Sequence, residues 1–118
     1  LESDRSQAIE TIRGIAWRQD GQVIRSPETE AIDCLDDLPV PAKYFSYQHL
    51  SLTRGCTGKC NFCGSPRFWG NNVRFHSVDY FVDQIERLYR KGSRFFYFSD
   101  DTFTVSKKRV IDICKKII

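Results

Sequence analysis

The spacing of apolar residues changes repeatedly along the chain, and each change marks an element. Residues Leu1 to Arg13 are polar except for Ala8, Ile9 and Ile12 at helical spacing, and Gly14 follows where a helix C-terminus favours it. Ile15-Ala16-Trp17-Arg18 and Gln22-Val23-Ile24-Arg25 flank Asp20-Gly21, the pair that a two-residue hairpin turn prefers. From Ser26 to Tyr44 periodicity disappears among Pro27, Pro39 and Pro41, so a linker wrapping a surface is expected. Asp33, Asp36 and Asp37 lie there without calcium-loop spacing and read as a solvated loop with local side-chain-to-backbone hydrogen bonds.

Beyond Tyr44 the texture becomes strand, loop, helix, twice over. His49-Leu50-Ser51-Leu52-Thr53 alternates like a strand and runs into Arg54-Gly55-Cys56. Ser77 is a good N-cap for a helix whose apolar stripe is Val78, Phe81, Val82, Ile85, Leu88 and Tyr89, ending before Gly92. Asp79 suits the first turn of that helix, and Arg90 and Lys91 suit its last. Phe95-Phe96-Tyr97-Phe98 is an unbroken apolar run, as expected of a parallel strand covered on both faces. The loop Ser99 to Thr104 follows, and Ser106 then caps a second helix with Val110, Ile113, Cys114 and Ile117 on its apolar face. The pattern predicts an α/β fold: a hairpin and linker, then two βα units with parallel strands.

Composition bounds this picture. The chain has 118 residues, enough for one core, and 41% hydrophobic with 14% aromatic residues makes it a folding sequence rather than a disordered tail. Eighteen Lys and Arg against 15 Asp and Glu give a net charge of +3, too mild to argue for a nucleic-acid partner. Lys107, Lys108, Arg109, Lys115 and Lys116 read as decoration of a helix face. No apolar run approaches the ~20 residues of a membrane span, and no secretion signal opens the chain. Methionine is absent, so the sequence reads as an excerpt of a longer protein.

Five cysteines, an odd number without a secretion signal, point to a reducing compartment and a cytoplasmic location rather than a disulfide framework. Cys56, Cys60 and Cys63 fall within eight positions, with gaps of three and two residues. Zinc sites usually close with four ligands, and the bacterial ferredoxin run has other gaps and a trailing Pro. Three thiolates on one loop suit a 4Fe-4S cluster with one iron left open for reaction. Cys114 reads as an inert core thiol, and Cys34 has nothing nearby to activate it. His49 and His76 lack mutual metal-ligand spacing and read as structural, and Trp17 as packing the hairpin onto a neighbour. Arg54 and Lys59 read as solvated loop cations.

The loop Cys56-Thr57-Gly58-Lys59-Cys60-Asn61-Phe62-Cys63, with its aromatic before the third thiol, resembles the cluster loop of the radical S-adenosylmethionine (radical SAM) enzymes. The resemblance runs from about Gln48 to Ile118 and implies the first two units of a partial (β/α)6 barrel. It implies that Cys56, Cys60 and Cys63 ligate the cluster and that S-adenosyl-L-methionine binds the open iron through its amino and carboxylate groups. One electron would then release methionine and a 5′-deoxyadenosyl radical that abstracts hydrogen from substrate. Phe62 would lie beside the adenine, and Ser99, Asp100 and Asp101 would face the methionine amine, in place of the Gly-Gly-Glu segment of many relatives.

Gly14-Ile15-Ala16-Trp17-Arg18, Asp20-Gly21, Leu35-Asp36-Asp37-Leu38-Pro39-Val40-Pro41 and Asp100-Asp101-Thr102-Phe103-Thr104 resemble the cobalamin-dependent group that includes the anaerobic magnesium-protoporphyrin monomethyl ester cyclases. This implies a preceding cobalamin domain in the parent protein, residues 1–47 as hairpin and linker, and residues 48–118 as the N-terminal part of the barrel. It also implies a small-molecule substrate, a ferredoxin- or flavodoxin-type reductant and no turnover by the excerpt alone. Apart from the resemblance, the apolar Phe95–Phe98 strand with only two helices to cover it predicts self-association of the excerpt through uncovered sheet edges. A methylthiotransferase of RNA or protein would share the cysteine loop with a different N-terminal flank. A non-enzymatic electron-transfer or zinc module is the third class.

Overall fold

Asp20 and Gly21 carry φ of +50° and +79°, the left-handed pair that a tight hairpin turn requires. The computed structural model describes residues 9–70 and 72–118, which fall into two units dividing after Ile32. In the first, β1 (Ala16–Gln19) pairs antiparallel with β2 (Gln22–Arg25), Ala16 opposite Arg25 and Gln19 opposite Gln22. Gly14 N donates to the Pro27 carbonyl at 2.8 Å and extends the pairing past the strand ends. Trp17 is half-buried and its Nε1 donates to Gln19 Oε1 at 3.3 Å. Most of the expected opening helix, residues 1–8, lies outside the described residues; Ile9 and Glu10 are helical.

In the second unit, residues 33–47 are not a bare linker. A 3-10 turn at Leu35–Asp37 buries Leu35 completely, and another at Pro41–Lys43 buries Ala42. Asp36 departs from the expected local loop bonding: it accepts hydrogen bonds from Ser77 N at 3.0 Å and pairs with His76 Nδ1 at 3.1 Å. The carboxylate thus ties this segment to the start of a distant helix.

The strand expected over residues 49–53 is split. β3 (His49–Leu50) pairs in parallel with β6 (Tyr97–Phe98), His49 opposite Tyr97. β4 (Thr53–Arg54) instead pairs antiparallel with β5 (Arg74–Phe75), an element with no clear sequence signal. Asp100 Oδ1 causes the change of partner: it accepts from Leu52 N, Thr53 N and Thr53 Oγ1 at 3.0, 2.6 and 2.7 Å. A carboxylate saturating those donors ends the parallel ladder there.

Helix α1 (Ser65–Trp69) follows the cysteine loop, α2 (Val78–Arg90) follows β5, and α3 (Lys107–Ile117) closes the chain. Ser77 caps α2 by accepting from Tyr80 N at 3.1 Å, and Ser106 caps α3 by accepting from Arg109 N at 3.5 Å. The core joins Ala42, Leu50, Leu52, Phe81, Val82, Leu88 and Ile113, so both longer helices pack against the strand segment that leads to the cysteines.

Two expectations fail at the surface. Cys114 is exposed, because α3 buries Ile113 and presents the next position to solvent. Phe95, Tyr97 and Phe98 are 55%, 54% and 43% exposed rather than covered on both faces. Phe98 does pack against Phe81 and Phe103, with ring centroids 5.4 and 4.6 Å away, but the described residues form only two-stranded sheets and no closed barrel.

Candidate functional site

Gly55 sets the entry to the cysteine loop. It is buried, its φ is +107°, and a Cβ there would lie 2.5 Å from the Asn72 carbonyl oxygen, so only glycine lets the chain turn beside that backbone. Cys56 follows and is half-buried, whereas Cys60 and Cys63 are exposed. Gly58 lies between the first two thiols: a Cβ there would sit 3.2 Å from Cys56 Sγ and 3.7 Å from Cys60 Sγ. Two sulfurs therefore face one small space that carries no side chain. Gly58 N donates to Cys56 Sγ at 3.3 Å, and Cys63 N donates to the Cys60 carbonyl at 3.1 Å, which closes a turn from Cys60 to Cys63 at the end of the loop.

Among the described residues no three His, Cys, Asp or Glu side chains converge tightly enough to hold a single metal ion. In a 4Fe-4S cluster each thiolate binds a different iron, so its donors stand further apart than those around one zinc ion. Three thiols, a glycine between the first two, and exposure of the others fit the chemistry of such a cluster.

The loop after β6 grips both ends of the cysteine loop. Thr102 Oγ1 lies 3.4 Å from Cys56 Sγ, and Ser65 Oγ, at the first position of α1, donates to Asp101 Oδ2 at 2.5 Å. Ser99 continues the strand pairing, its N donating to the Leu50 carbonyl at 2.8 Å. Asp100 uses Oδ1 on residues 52 and 53, while its Oδ2 is enclosed without a hydrogen-bond partner. Asp101 is exposed, so it is the carboxylate of the pair that a ligand can reach. Phe62 is 94% exposed and packs on nothing. The structure therefore brings Cys56 and the loop after β6 together and leaves Phe62 standing free at the rim.

Thr102, Ser65 and Gly58 were not singled out by sequence reasoning. Their neighbours were, and only the tertiary pairing of β3 with β6 brings the two loops together. Arg54 holds its guanidinium 5.6 Å above the Trp69 ring and lines, with His76 and Tyr80, a groove of about 410 Å³. None of the three clustered cysteines lines that groove. No helix among the described residues is long and apolar enough to cross a membrane.

Residues 50–118 match the radical SAM superfamily, more than half of the chain, and the chain belongs to that superfamily. Membership implies S-adenosylmethionine and a 4Fe-4S cluster as the cofactors of the family. An uncharacterized methyltransferase of Pyrococcus horikoshii is 31% identical over 96% of the chain and 27% of its own length. An anaerobic magnesium-protoporphyrin IX monomethyl ester cyclase of Cereibacter sphaeroides is 25% identical over 91% of the chain and 19% of its own length. A cytidylyl-2-hydroxyethylphosphonate methyltransferase of Streptomyces wedmorensis is 35% identical over 67% of the chain and 19% of its own length. The chain thus spans between 19% and 27% of the length of these relatives, all named as enzymes.

Proposed function

We propose that this chain is the cluster-bearing segment of a cobalamin-dependent radical SAM enzyme of the cytoplasm. In this reading residues 48–118 are the first two βα units of its barrel, and residues 1–47 are the hairpin and linker that follow a cobalamin domain. The observation that carries it is the Cys56–Cys63 loop: three free thiols on one short loop that follows a parallel strand pair, in a member of this superfamily. When bound, the cluster would supply one electron to S-adenosylmethionine at its open iron, with a ferredoxin- or flavodoxin-type protein as the source.

The residues of the chain supply the rest. Cys56, Cys60 and Cys63 act as thiolates, each on one iron. The free ring of Phe62 is available to lie against the adenine. Asp101, exposed beside Cys56's partner Thr102, can accept from the methionine ammonium, while Asp100 and Ser99 hold the strand end on which that loop stands. The substrate is a small molecule of the kind handled by the parent enzyme, a tetrapyrrole as for the cyclase relatives or a methyl acceptor as for the methyltransferases.

Anaerobic reconstitution with iron and sulfide tests this. The wild-type chain should take up iron and show the broad visible absorbance of a cluster. Cys56→Ala, Cys60→Ala and Cys63→Ala should each lose it, and Cys114→Ala should keep it. Because Cys60 and Cys63 are open to water, the reconstituted chain should release no substrate-dependent 5′-deoxyadenosine on its own. Equal loss of absorbance in all four variants would overturn the ligand assignment.

A further inference from the structure

Among the described residues, Cys56 is the clustered thiol that carries hydrogen bonds, and Thr102 is its side-chain partner at 3.4 Å. Either atom of this pair can be the donor while the thiol keeps its proton. A metal-bound thiolate has no proton to give, so the hydroxyl becomes the only donor. We infer that Thr102 donates a hydrogen bond to the Cys56 sulfur and is a positioning residue that raises the reduction potential of the cluster. The inference rests on the cluster reading above and adds to it a residue that the cysteine spacing does not reveal.

The hydroxyl has one proton and two acceptors within reach. Thr102 Oγ1 also lies 2.8 Å from the Asp101 carbonyl oxygen. Asp101 is exposed, so its carbonyl can turn to water, whereas Cys56 is half-buried and has fewer alternatives. A hydrogen bond to a charged acceptor is also stronger than one to a neutral carbonyl, so the thiolate wins the proton.

Thr102 is held in place from both sides. Asp100 is bound to residues 52 and 53, and Phe103 stacks on Phe98 with ring centroids 4.6 Å apart. Thr102 is therefore held beside Cys56 before any metal arrives, and the bond forms by a turn of the hydroxyl proton from the Asp101 carbonyl to the sulfur. Reduction adds negative charge to the cluster and its sulfurs, and a donor aimed at one sulfur favours that state.

The test uses the 118-residue chain as wild type, Thr102→Val and Thr102→Ser, each reconstituted anaerobically. Iron content and absorbance report cluster loading, and a redox titration followed by paramagnetic resonance reports the potential. Thr102→Val, which keeps the shape and loses the proton, should fill with cluster and be harder to reduce. Its reduced-to-oxidised ratio at a fixed potential should fall about tenfold, a shift of about 59 mV for one electron. Thr102→Ser should stay at the wild-type value. Loss of the cluster in Thr102→Val with retention in Thr102→Ser also supports the inference. A loaded Thr102→Val at the wild-type potential, or Thr102→Ser shifted as far as Val, overturns it and leaves the cluster reading standing. A wild-type chain that takes up no iron overturns the cluster reading first.

Discussion

Asp36 and His76 lie 40 residues apart in sequence and 3.1 Å apart in the fold, and their titrations move stability in separate pH windows. Burial pushes the Asp36 carboxyl up, but hydrogen bonds from the Ser77 side chain and backbone and from His76 together hold it below its ordinary value of 3.8. For His76 burial is the largest influence and pushes the imidazole down; Asp36 pulls the other way without overcoming it, and Arg54 adds to the depression. Folded His76 therefore stays neutral to lower pH than an unfolded histidine does. As pH falls below about 6.5 the unfolded chain takes the proton first, so stability is whole above that pH and drains below it. The contribution of Asp36 is whole above its ordinary value and is lost only as pH falls through its lower folded value. Urea unfolding of the chain between pH 8 and pH 5 should show stability falling as the pH drops below about 6.5. His76→Gln should flatten that limb. A variant with the wild-type slope would show that another group is responsible.

At the scale of elements, α2 depends on its cap. Ser77 Oγ accepts from Tyr80 N at 3.1 Å, and the Ser77 backbone N is separately bound by Asp36. Ser77→Ala removes the hydroxyl from both Tyr80 N and Asp36 and leaves the backbone bond to Asp36, so it should cost about 1 kcal/mol, within the ~0.5–2 kcal/mol of such caps, as read by denaturant midpoint at unchanged slope. A loss below ~0.3 kcal/mol would mean that the Asp36 carboxylate alone caps this helix, by the smaller magnitudes of exposed helix-end charges.

This cap was readable in the sequence because Ser77 and the stripe from Val78 to Leu88 are local signals, as was the Asp20-Gly21 turn. The three-thiol spacing was readable for the same reason. What was not readable depends on partners far along the chain. β4 leaves the parallel ladder because Asp100, 47 residues later, takes its donors, and β5 has meaning only as the partner of β4. Cys114 sits one position past the buried Ile113, and an apolar stripe on a short helix does not say which edge of the stripe meets its neighbour. The Thr102–Cys56 contact likewise exists only once β3 and β6 are paired.

At the scale of the whole molecule the aromatic run from Phe95 to Phe98 has the largest consequence. Phe95 and Tyr97 are 55% and 54% exposed and meet edge to face at 4.9 Å, and β6 pairs with β3 alone among the described residues. An apolar strand with a free edge invites a second chain. Two copies joined here would each cover ~200 Å² of aromatic surface, about one large ring's worth. At ~25 cal/mol per Å² that is about 10 kcal/mol gross. Association costs at least ~4 kcal/mol in lost translational and rotational freedom. At the low end of that cost about 6 kcal/mol remains, a dissociation constant on the order of tens of micromolar at the tightest. The isolated chain is therefore expected to self-associate across the micromolar range, with the apparent mass rising with concentration in light scattering or sedimentation. Phe95→Lys, which places a charge on the edge without touching the core, should shift the rise to at least roughly tenfold higher concentration. A wild-type chain that stays a monodisperse monomer at about 100 μM, where sticky surfaces associate, would refute the prediction. A Phe95→Lys variant that associates as the wild type does would refute the placement of the contact at Phe95, just before β6.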